Sequence, residues 1–291
     1  MTKNRIMNGA ITSAVCLVVA LAATAVAAVA APLDKIKSRG YIEIAVYERF
    51  IPYSYEENGQ PTGVDVEIGR ALAEKLGVNA KFRLFQPDES ADDDLRNHVW
   101  KGHPINGAPA DVMLHVPTHP NFANENKQVK ILTPYFRETE VVARYPRLKQ
   151  AVSIANFSDE RIGAEKLTLA SDYLAAAMGG MLRESMALYP NVAAAVADLK
   201  AEKISAILGP RGELEGYLGA DLGRFVVGPV AMPGLAYNGW DLGVAVPAKE
   251  TALAEAVEKA MAELEAEGTI KRIFVSHGLT YFEPETLLAQ H

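Results

Sequence analysis

Two spacings of apolar residues alternate along this chain. Residues 41–46 form a short apolar run of strand-favouring residues. From Val64 the apolar positions fall at Val64, Ile68, Ala71, Leu72 and Leu76, a helical spacing that Gly77 closes. Between these runs Phe50, Tyr53 and Tyr55 bracket Pro52, and Asn58-Gly59 supplies the positive φ of a tight turn. The alternation recurs, with strands expected at 81–85, 111–116, 140–143, 161–164, 204–208, 225–227 and 242–246. Helices are expected after Ser90 (Ala91, Leu95, Val99 on one face), from about Ser171, and through Val192, Val196 and Leu199. A long one carries Leu253, Ala256, Val257, Ala260, Met261 and Leu264 and closes at Gly268. Repeated βα alternation predicts an α/β fold of mostly parallel sheets flanked by helices. Ligands bind such sheets at the carboxyl ends of the strands, where the aromatic loop falls.

The amino-terminal segment changes the picture of compartment. Lys3 and Arg5 precede an Ala/Val/Leu run over 11–29, and Ala28-Val29-Ala30 fits a small-residue cleavage site. Residues 1–30 are therefore expected to be a signal peptide, the mature chain to begin near Ala31, and the protein to reach the periplasm. Cys16, the single cysteine, lies in that leader, so the mature chain would have no disulfide and no cysteine–zinc site. The formal net charge is -7, and losing Lys3 and Arg5 makes it -9. That argues against nucleic acid and against an anionic membrane surface as partners.

The motif order resembles the family 3 extracellular solute-binding proteins. Phe50-Ile-Pro52-Tyr53, Gly63-Val-Asp65-Val-Glu67 and Lys75-Leu76-Gly77 stand where that family has its aromatic loop, Asp turn and helix end. Asn238 to Val246 resembles the strand returning to the first lobe, and 253–274 the closing helix pair. The resemblance implies the type II periplasmic binding fold, two lobes joined by two crossover strands near 138–142 and 236–243. Lobe one would be 31–138 plus 243–291, and lobe two 139–242. The implied cleft residues are Phe50, Tyr53, Tyr55, His115, Val116, Thr118, Arg211 and Trp240.

An amino-acid carrier of this family holds the ligand carboxylate with an Arg about a dozen residues beyond its lobe-one Asp. Here that Asp is Asp111, and Ala123 or Asn126 stands at the Arg place, depending on the alignment. The ammonium is usually held by an Asp after a lobe-two strand, where this chain reads Gly209-Pro210-Arg211. Losing both anchors removes most electrostatic attraction for an amino acid. Residues 93–103 and 110–117 also resemble the MoxJ/XoxJ branch of periplasmic binding proteins, associated with quinoprotein alcohol dehydrogenases. That resemblance implies an accessory protein for a pyrroloquinoline-quinone-dependent methanol dehydrogenase, acting in its maturation or activation. The cleft would then hold a partner's peptide segment or a small apolar ligand. The alternative is the solute-binding component of an ABC importer for a weakly charged small molecule.

Other chemistry has little support in the sequence. Four of six histidines fall at 98–119, but Pro117 between His115 and His119 denies them a shared helical face. Asp92 to Asp94 read as the solvated first turn of a helix, and His98 and His103 as surface or cleft-rim residues. Nucleotide-binding, serine-hydrolase and zinc-protease motifs are absent. Glu138 and Glu140 could be nominated as an acid/base pair without anything to fix their geometry. Hence neither an enzyme nor a cofactor is expected.

Overall fold

The computed structural model describes residues 33–104 and 107–285. The expected signal peptide lies outside the described residues. Short helix α1 (Leu33–Arg39) leads into β1 (Tyr41–Tyr47), the hairpin β2 (Tyr55–Glu57) and β3 (Gln60–Thr62), α2 (Val64–Lys75) and β4 (Asn79–Phe85). Then come α3 (Ala91–Leu95), β5 (Val112–Pro117), α4 (Pro120–Glu125) and the long β6 (Val129–Arg144). The middle of the chain builds β7 (Ile162–Glu165), α5 (Leu169–Gly180), β8 (Met186–Tyr189), α6 (Val192–Lys200), β9 (Ala206–Pro210), α7 (Arg211–Leu218) and β10 (Val226–Gly228). β11 (Gly239–Pro247), α8 (Thr251–Ala266) and α9 (Thr269–Ser276) complete it.

One sheet path, β4-β1-β5-β11-β6-β9-β7-β8, runs through the whole molecule, with β10 also on β6. It divides at β6. Val129 to Thr139 pair with β11, whereas Glu140 to Arg144 pair with β9, and β10 joins on the other side from Val142. The lobes are thus β4-β1-β5-β11-β6 and β8-β7-β9-β6-β10. Each places a parallel trio beside antiparallel strands.

The cores follow the helical stripes. Leu253, Ala254, Val257, Ala260, Met261 and Leu264 of α8 are buried with Ile68 and Leu72 of α2 against Ile42, Ile44 and Val244. Burying each of the Leu, Ile, Val and Met side chains among them contributes about 1.5–3 kcal/mol. Lobe two carries separate clusters on its two faces, one around Phe157 and Leu174, the other around Val196, Leu199 and Leu214.

Ser90 caps α3 as expected, its hydroxyl accepting from the Asp93 N–H at 3.2 Å. The chain continues past α3 as a π-helical turn, Arg96–Trp100. Two expectations here are corrected. Asp94 is buried, accepting from the Tyr47 hydroxyl and the Asp88 N–H, each at 2.8 Å. His98 is buried as well, its ring stacked on Phe85 at 3.7 Å. Both follow from α3 lying on the end of β1 and β4 rather than in solvent.

Candidate functional site in the interlobe cleft

His115 forms the floor of the site. It sits in β5 with a φ of 64°, and its Nδ1 lies 2.9 Å from Asp65 Oδ2. Asp65 Oδ1 accepts from the Tyr135 hydroxyl at 2.8 Å, and that hydroxyl oxygen accepts from the His115 N–H at 2.9 Å. Asp65 is fully buried in the first turn of α2, where the helix dipole favours a carboxylate. The rings of Tyr53 and Phe50 pack on His115 with centroids 4.3 and 4.9 Å away. A buried carboxyl shared between the Tyr135 hydroxyl and the His115 ring fixes the imidazole as part of the wall.

Tyr53 joins this floor to the hinge. Its hydroxyl donates to Glu138, which also accepts from the N–H groups of Thr139 at 2.8 Å and Gly212 at 3.3 Å. Here α7 of lobe two meets the aromatic loop of lobe one through its glycines. A Cβ at Gly212 would strike the Tyr53 hydroxyl, and one at Gly216 would lie 2.8 Å from Pro52 Cδ. The residues after α9 reinforce the contact. Thr280 donates from its N–H and its hydroxyl to the two carboxylate oxygens of Glu215, at 2.7 and 2.8 Å.

Beyond this contact a cavity of about 700 Å³ opens between the lobes. Tyr47, Glu48, Arg49 and Phe50 line it from lobe one, at the carboxyl end of β1. Glu165, Thr168, Glu213 and Tyr217 line it from lobe two. Burial first, then the neighbouring Glu165, Glu138 and Glu140, push the Glu213 carboxyl well above the ordinary range. Burial likewise raises Glu165, with the Val192 N–H opposing. Glu140, two residues from Glu138 on β6, is pushed up to about 8 by burial and then by Glu138. Its Oε2 is buried with no hydrogen-bond partner among the described residues.

The sequence-derived residues divide accordingly. Phe50 lines the cavity, and Tyr55 lines an adjoining recess with Ile51 and Tyr217. Tyr53 and His115 lie beneath it, buried. Val116 packs in the cluster of Phe85, Leu95 and Val99. The Thr118 hydroxyl donates to the Asp241 carbonyl at 3.3 Å, and Trp240 packs against the lobe-one core. Arg211 turns to Glu215, at 3.2 Å, and lies over the Phe282 ring. Asn126, one candidate for the missing Arg, bonds to Asp92 and the Phe122 carbonyl. Tyr47, Glu165, Glu213 and Tyr217 went unread, although Tyr47 ends a strand, where cleft residues are expected.

A convergent set of potential metal ligands among the described residues is Asp88, Asp94 and His98. Its carboxylates already accept from Tyr47, Asn97 and a backbone N–H, and burial lowers the His98 pKa to about 4. The set cross-links α3 to β1.

Two lobes that share their crossover strands around such a cleft have the architecture of the type II periplasmic binding proteins, and comparison with known proteins agrees. The family of bacterial extracellular solute-binding proteins, family 3, matches residues 42–98. The L-cystine-binding protein TcyJ of Escherichia coli strain K12 is 23% identical over 245 residues, 83% of this chain and 84% of that protein. An ancestral cationic amino acid solute binding protein superposes with a TM-score of 0.66 at 18% identity, over 83% of this chain and 96% of that one. An L-arginine-bound amino acid ABC transporter substrate-binding protein from Streptococcus pneumoniae gives 0.60 at 20% identity, covering 86% and 99%. Among the described residues no helix is long and apolar enough to cross a membrane.

Proposed function

We propose that this chain is the periplasmic solute-binding component of an importer, taking a small solute into the cleft between its lobes. The observation that carries this reading is the cavity of about 700 Å³ walled by aromatic and carboxyl groups from both lobes. Pockets of this size bury small ligands, and a hinged pair of lobes can close over them. Similarity to a cystine-binding protein across most of both chains supports the same class. The solute differs from an amino acid in its head group, because neither Ala123 nor Asn126 can take the place of the carboxylate-binding Arg. Screening a solute library by thermal unfolding, followed by small-angle scattering of each hit, tests the reading. A ligand at 100 times its Kd stabilises by about 2.7 kcal/mol, and closure should reduce the radius of gyration. A broad library that shifts neither quantity overturns it.

A second reading is the accessory protein of a quinoprotein methanol dehydrogenase. The resemblance carried by 93–103 and 110–117 favours it, as does an apolar rim: Leu167 and Leu169, exposed on either side of Thr168, could meet a partner's segment. Maturation of the dehydrogenase in cells lacking this protein, together with pull-down at micromolar concentration, tests that role. Full maturation and no complex would exclude it.

A further inference from the structure

We propose that the cleft takes an organic cation that carries no carboxylate, an alkyl or aryl amine or diamine. Its ammonium group would sit at Glu213 and its hydrocarbon body against Tyr47, Phe50 and Tyr217. The proposal rests on the solute-binding reading above and names the chemistry of the solute.

Glu213 stands on the first turn of α7, three residues beyond Pro210. It therefore places a carboxyl in the cleft from the same strand–helix junction at which the family's amino-acid carriers keep an ammonium-binding Asp. The anionic half of an amino-acid site is retained by a different residue, while the cationic half is missing. Arg49 is the cation lining the cavity, and its own neighbour Glu48 lies 3.8 Å from it.

The carboxyls are also short of partners. Among the described residues nothing donates a hydrogen bond to Glu213, and it pairs with no cation. Glu140, buried behind it, is equally unpaired. Glu213 is half-buried at the cavity wall and Glu140 is buried, and a carboxyl withdrawn from water without a donor is costly as an anion, so a cation bound at this wall would be favoured. Aromatic faces supply the second element, since a desolvated ammonium is attracted to the ring quadrupole. A hydrated metal ion would make less of those walls, and the convergent metal-ligand set among the described residues lies elsewhere, at Asp88, Asp94 and His98.

A proton linkage follows. The groups facing Glu213 are Glu165 on β7, Glu138 and Glu140 on β6, Tyr53 on the aromatic loop, and Glu48 and Arg49 across the cavity. Burial and these acidic neighbours push the Glu213 carboxyl above the ordinary range, whereas an arriving ammonium favours its ionised form. Amine binding should therefore be accompanied by proton release.

The test is titration calorimetry on the mature protein with putrescine, cadaverine, tyramine and phenethylamine, each beside its isosteric alcohol, and with lysine and arginine. Runs in two buffers of different ionisation enthalpy report proton release. We expect micromolar binding of at least one amine, with its alcohol at least 100-fold weaker and with protons released. Glu213→Gln should weaken the amine at least tenfold and suppress the release. Glu165→Gln provides a second variant, also on the cavity wall, expected to weaken it in the same direction. Equal binding of an alcohol, binding of lysine or arginine but no amine, or unchanged affinity in both variants would overturn the cation assignment. If a neutral or anionic solute closes the lobes instead, the cation assignment fails and the solute-binding reading stands. If no solute closes them, both fail.

Discussion

At the scale of single residues, the site is defined by what has partners and what lacks them. Asp65 satisfies both His115 and Tyr135. Asp65→Ala leaves both without that acceptor and should cost about 3 kcal/mol, measured by urea unfolding. Glu140 is the opposite case. Its pKa of about 8 in the folded protein exceeds the ordinary 4.5, so between those values the folded chain holds a proton that the unfolded chain has released. The stability from this group is complete below the unfolded value and is lost as pH rises through the folded one, amounting to up to roughly 5 kcal/mol. Glu140→Gln should therefore flatten the decline in stability between pH 5 and 8, as followed by chemical denaturation at each pH. These residues were only half legible in the sequence. Glu138 and Glu140 stood out as neighbouring acids, but their role depends on α7 packing over them, a contact far apart in sequence. Asp94 and His98 misled for the same reason, since polarity alone placed them in solvent.

At the scale of elements, α2 and α8 were legible because one long apolar stripe on each meets one sheet. β6 and α7 were not. Pro134 argues against a continuous strand, yet β6 runs from Val129 to Arg144 because the register shifts opposite Gly243, where Thr133 takes a φ of 41°. Two glycines and few apolar residues hid α7, and those glycines are what let it lie on Pro52 and Tyr53. Gly216→Ala would put a methyl group 2.8–2.9 Å from the Pro52 ring. Overpacking of this kind costs roughly 1–3 kcal/mol. Because the clash is between lobes, the expected outcome is a wider interlobe angle, with a larger radius of gyration by small-angle scattering and little change in the far-ultraviolet circular dichroism.

At the scale of the whole molecule, the α/β fold class could be read from motif order, because strand and helix signals alternate along the chain. The character of the cleft could not, since its carboxyls come from Glu48 after β1, Glu165 on β7 and Glu213 on α7, which lie far apart along the chain. One consequence concerns the twenty free amino acids. Without an Arg to pair with the carboxylate, a contribution of roughly 1.5–3 kcal/mol is missing, and calorimetry should find none bound at micromolar affinity. Another concerns motion. Two strands crossing between lobes define a rotation axis and leave the angle about it free. The Thr280–Glu215 bonds, with Phe282 beneath Arg211, tie the lobes again outside those strands. An attachment away from the crossovers turns a door on two hinges into a latched one. On the solute-binding reading proposed above, release of a bound solute would wait on the latch, so Glu215→Ala should speed dissociation in stopped-flow measurements more than it slows association, and the latch would set how long a solute stays bound.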